Sequence, residues 1–151
     1  MTTRRKVAAG LFVLIVALLC IAAAADLLMT TVPDHELRFL GRDMQTLDAR
    51  TGELILIFTR MIGCWYIAVA IGIASQIEPA FRRGSRTALG VLAGLTLLPN
   101  AMIMATTYQL GFGPNLIAGG AILILALTGL ALGYGPKAVQ AESYPAAMLA
   151  K

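Results

Sequence analysis

Four apolar stretches, each close to the roughly 20 residues a helix needs to cross a bilayer, constrain this 151-residue chain more than anything else in it. The pattern predicts spans over about 7–32, 54–77, 87–108 and 116–134, interrupted within the membrane only by Asp26 and Arg60. An isolated apolar segment satisfies its own backbone in lipid only as a helix. The expected fold is therefore all-α: an integral membrane four-helix bundle, one transmembrane domain over 1–151, with 135–151 as a tail. The composition agrees, because 58% of residues are hydrophobic and 13% charged, whereas a soluble domain carries about a quarter charged. Gly84-Ser85 separates the second and third spans. Gly111, Gly113 and Pro114 separate the third and fourth, and both are turn chemistry.

The N-terminus also has the outline of a secretory signal: Arg4-Arg5-Lys6, an apolar run, then Ala22 to Ala25. That run is longer than a usual signal core and resumes after Asp26, which predicts a span. Cationic residues near span ends predict direction. Arg4, Arg5 and Lys6 precede the first span, Arg82, Arg83 and Arg86 lie between the second and third, and Lys137 and Lys151 follow the fourth. The expectation is a multi-pass protein of a bacterial inner (plasma) membrane with both termini cytoplasmic. These short clusters beside apolar runs point to topology, and no nucleic-acid partner is expected. Cys20 and Cys64 lie in apolar runs without Cys-x-x-Cys or neighbouring His, so neither a metal nor a cofactor is expected and both read as small core residues.

The first loop, Pro33 to Glu53, spaces Leu37, Leu40, Met44 and Leu47 by three, four and three residues. Pro33 opens the segment and Gly52 closes it, which predicts a short amphipathic helix in the first extracytoplasmic loop. Gly90/Gly94 and Gly129/Gly133 are small-residue pairs of the kind that lets helices approach closely in lipid, within the chain or in a homo-oligomer. Pro99 should kink the third span and free the carbonyl of Leu95. Asn100 is placed to answer it or to reach another helix.

Charges inside a membrane cost about 2.5–3.5 kcal/mol each near its centre and persist when paired or facing a cavity. Asp26 lies seven residues before Pro33 and Arg60 seven after Glu53. Equal depth predicts an intramembrane ion pair, with Glu53 above it on the same helix face. His35, Trp65, Asn100 and Tyr108 are candidate ligand-binding residues of a polar pocket around Asp26 and Arg60 in the outer half of the bundle. Asp26, Glu53 and Arg60 are candidate catalytic residues if the chain is an enzyme. The segment Thr59-Arg60-Met61-Ile62-Gly63-Cys64-Trp65 resembles the Arg-x-x-Gly start of the second span in DoxX-like small four-helix membrane proteins. That resemblance implies a compact bundle with a polar first loop and an accessory membrane role, with no catalytic residues.

Two functions remain in view. One is a membrane protein that binds a lipophilic small molecule or serves as an accessory subunit of a membrane complex. The other is a membrane-embedded enzyme, such as an isomerase, cyclase or epoxide-opening enzyme. It would use Asp26 or Glu53 as acid or base, with Arg60 tuning the acid or holding an anion. A channel ranks behind both, since four spans line a pore only as an oligomer.

Overall fold

The computed structural model describes residues 1–109 and 113–134; the expected tail lies outside them. Four long helices form the bundle: α1 Thr3–Leu28, α3 Ala49–Ile77, α4 Arg86–Gln109 and α5 Gly113–Gly133. A short helix, α2 Asp34–Leu40, lies between α1 and α3. All four long helices are long and apolar enough to cross a membrane. Each packs on its sequence neighbour and α5 closes the ring on α1, which leaves α1 diagonal to α4 and α3 diagonal to α5. This is an up-and-down bundle joined by short connections.

Several boundaries differ from expectation, each for a local reason. α1 stops at Leu28, because Met29 turns extended and the chain stays non-helical to Pro33. α3 begins at Ala49, not near residue 54: the Asp48 carboxylate accepts the amide and hydroxyl of Thr51 and caps the helix. Gly52 therefore sits inside α3 and does not end the loop. The amphipathic stripe is cut short at Gly41, which takes a left-handed φ of 61° and terminates α2. Only Leu37 of the stripe is buried, while Leu40 and Met44 are exposed. At its far end α3 continues into a π-helical turn, Glu78–Arg82. Pro79 has no N–H to offer the carbonyl four residues back. The ladder widens there, and the Arg83 amide reaches the Glu78 carbonyl at 3.3 Å.

The tightest packing lies at the end that carries the N-terminus. Phe12 of α1 meets Phe81 with ring centroids 5.5 Å apart. A Cβ at Gly129 would stand 2.7 Å from Phe12, and one at Gly133 would stand 2.9 Å from both Phe81 and Leu89. The second glycine pair thus seats α5 on α1, α4 and the π turn. The first does not behave this way, since a Cβ at Gly90 or Gly94 would meet nothing within 4 Å. Cys20 and Cys64 are free thiols on the outer surface of the bundle, not core residues. Such exposure is expected of apolar residues whose surrounding solvent is lipid. α4 runs as one helix across Pro99, and Asn100 sends its amide across to the Gly119 carbonyl of α5 at 2.8 Å.

Candidate functional site

α1 and α3 are unequal in length at the loop end, and that inequality creates the site. Arg60 donates to the Met29 carbonyl at 3.4 Å, just past the end of α1. The eleven residues of α3 before Arg60 therefore extend beyond α1, a rise of roughly 16 Å. The extended segment after Met29 and the loop after Gly41 fold back over this overhang. An open groove of ≈ 440 Å³ remains between them. Leu56, Ile57, Met44 and Leu47 give it apolar walls, and Thr30 and Thr31 border it from the connector. Glu53 and Arg60 line it two turns apart on one face of α3.

Asp26 is not directly paired with Arg60. Among the described residues no ion pair joins them within 4 Å. The expected depths were taken from Pro33 and Glu53, whereas the helices end at Leu28 and begin at Ala49. Asp26 instead faces Gly63, where an added Cβ would stand 3.1 Å from the Asp26 Cβ and 3.1 Å from the Ala23 carbonyl oxygen. Gly63 lies about one helical turn beyond Arg60 along α3. At that level Asp26 interacts electrostatically with Tyr66, which is half-buried against the core, and with His35 of α2. His35 also lies 3.9 Å from Glu36.

The remaining candidates are dispersed. Asn100 is buried at the α4–α5 contact and holds those helices together. Trp65 and Tyr108 are exposed on the outer surface of their helices. Thus Glu53 and Arg60 share the groove, Asp26 lies apart from it beside Gly63, and Trp65, Asn100 and Tyr108 lie on neither. Sequence reasoning missed Thr30, Thr31, Met44 and Leu47 as the groove's other boundary. The Asp48-x-x-Thr51 cap was the available signal, since it sets the start of α3 and hence the overhang. At the groove rim, the hydrogen bonds from Thr51 hold the Asp48 carboxyl below the usual carboxylate range. No protein family, curated protein or solved structure matches the chain.

Proposed function

We propose that this membrane bundle binds a lipophilic small molecule in the groove between the α1–α2 connector and the overhang of α3. The observation that carries the reading is the groove's make-up, with apolar walls and one carboxylate and one guanidinium on a single helix face. Such a lining suits an amphiphile, whose chain lies on Leu56 and Ile57 while its polar end meets Arg60 or Glu53. The groove is open, so a ligand can enter it without a rearrangement of the bundle. The cationic residues support an inner (plasma) membrane location with both termini cytoplasmic, which places the groove on the extracytoplasmic side. A role as accessory subunit is compatible with the same site.

A photoactivatable diazirine fatty acid, applied to the full chain in vesicles, tests the binding. Crosslinks should concentrate on residues 30–32, 44–47 and 53–60, and Leu56→Trp, which fills the groove, should reduce them several-fold. Labelling spread evenly over the outer surface and indifferent to Leu56→Trp would overturn the reading. For orientation, Cys20 and Cys64 are first replaced by Ala. Asp43→Cys should then react with an impermeant maleimide only from outside the cell, and Thr87→Cys only from inside. The reverse pattern would invert the topology.

A further inference from the structure

The opposite end of the bundle brings together basic residues that are far apart in the chain. Arg4 donates to the Ala131 carbonyl of α5 at 2.8 Å, meeting the negative end of that helix. Arg5 lies across the turn between α3 and α4. A Cβ at Gly84 would stand 3.2 Å from both terminal nitrogens of its guanidinium. Gly84 itself has a φ of 74°, so backbone conformation and close approach both call for glycine there. The same turn carries Arg82 and Arg83, and Arg86 begins α4. Arg4, Arg5 and Lys6 thus start α1 at the same end as the turn that carries Arg82 and Arg83, and both of these contact the Glu78 carboxylate. Glu78 is 3.8 Å from Arg82 and 3.5 Å from Arg83, and all three are well exposed. Contacts of that kind contribute little and yield readily to a better anion.

We propose that this end is a binding site for the phosphodiester headgroup of an acidic phospholipid in the adjoining leaflet. Arg4 is held by its hydrogen bond to α5 and Arg5 lies close against the Gly84 turn, so less side-chain ordering is left for an anion to impose. The cluster sits at the ends of helices long and apolar enough to span a membrane, the ends at which a bilayer's headgroups meet a spanning helix. A headgroup bridging the N-terminal triplet and the 82–86 turn offsets the mutual repulsion of the cations and ties the first span to the second and third.

Native mass spectrometry of the full chain, released from mixed micelles holding equal phosphatidylglycerol and phosphatidylcholine, tests this. The wild-type chain should retain phosphatidylglycerol preferentially. Near a membrane surface each basic residue contributes roughly five-fold in affinity. Arg5→Gln/Arg83→Gln should therefore lower the preference by about 25-fold, and Arg38→Gln/Arg42→Gln at the other end should leave it unchanged. If the double variant fails to fold, each single variant should show about a five-fold loss. Equal retention of the two lipids would overturn the proposal, as would an equal loss in the Arg38/Arg42 control. Displacement of the lipid by millimolar inorganic phosphate would also overturn it, because the site would then belong to a soluble anion.

Discussion

At the end that carries the N-terminus, Phe12, Phe81, Gly129 and Gly133 interlock, and Arg4 and Arg5 clasp the outlying turns. At the other end α3 outruns α1, and connector and loop lie against its exposed turns without filling the space between. Lipid offers no strong hydrophobic drive for one helix to find another, so tightness depends on small residues that let neighbours approach. The N-terminal end has them where helices cross. The loop half has close approaches as well, at Gly63 under Asp26 and at Gly119 against Met104 of α4, but none between the connector and the overhang of α3, and there the bundle opens. In one small fold the closed end supplies cohesion, and the open end leaves a groove beside α3.

The largest expected effects break this contrast directly. Phe12 is fully buried between α1, the π turn and α5. Phe12→Ala should cost about 3–5 kcal/mol, because a ring-sized void in a clamped interface cannot collapse. Leu56→Ala, on the groove wall, should cost no more than about 1 kcal/mol, as for a site already partly open. Reversible unfolding in mixed detergent and SDS measures both. Comparable losses would mean that the groove is as tightly packed as the far end.

A smaller effect separates the glycines. At Gly63 an added methyl would meet the Ala23 carbonyl oxygen at 3.1 Å, and backbone cannot move aside as a side chain can. Gly63→Ala should destabilise by about 1–3 kcal/mol through the α1–α3 seam. Gly94 meets nothing within 4 Å. Gly94→Ala should be neutral, or stabilising by up to about 1 kcal/mol through helix propensity. A large loss at Gly94 would point to a contact outside this chain, in an oligomer.

That pair of glycines also marks what sequence can and cannot convey. The four spans were legible because apolar length is a one-dimensional property, and lipid leaves a helix as its only local solution. The side of a helix on which a small residue falls is a three-dimensional property. Gly90-x-x-x-Gly94 and Gly129-x-x-x-Gly133 therefore look alike as strings, yet only the second is a contact. The site was legible in part. Glu53 and Arg60 were correctly placed on one face by their spacing of seven. Asp26 was misregistered against Arg60 because Pro33 and Glu53 do not lie level: α1 ends at Leu28, and Arg60 stands beside Met29 three residues past Asp26. The result is a register error of about one turn, enough to set Asp26 beside Gly63 and Arg60 beside Met29.

Asn100 tests whether the middle of the bundle behaves like either end. Its amide gives the Gly119 carbonyl a 2.8 Å hydrogen bond between α4 and α5 in a buried setting. Interhelical hydrogen bonds in membranes contribute about 0.6 kcal/mol on average. Asn100→Ala should thus cost well under the Phe12 loss in the same SDS unfolding assay. A loss above about 2 kcal/mol would exceed the range known for such bonds and would give Asn100 a wider part in holding the open half together.

The smallest effect concerns the start of the overhang, where the groove's rim depends on one cap. The Thr51 hydroxyl and amide both donate to the Asp48 carboxylate, and these bonds favour its charged form. The folded carboxyl is thus held below the ordinary Asp value of 3.8. A depressed carboxyl contributes stability that is present above the unfolded pKa and is lost as pH falls through the folded one. The first turn of α3 should hold at neutral pH and loosen only in acid, below about pH 4. In NMR of the detergent-solubilised chain, the Asp48 carboxyl carbon should titrate below 3.8. The Thr51 amide resonance should shift over the same range, as its acceptor is protonated. Thr51→Ala removes the hydroxyl donor and should raise that midpoint. Asp48→Asn keeps a capping oxygen without the charge, so it should preserve the turn and abolish its acid sensitivity. If Asp48 titrates at or above the ordinary value, or the Thr51 amide ignores its protonation, the cap does not hold the start of α3. The overhang that shapes the groove would then rest on tertiary contacts, such as Gly52 beside Leu47 and Val32 and the Arg60–Met29 hydrogen bond.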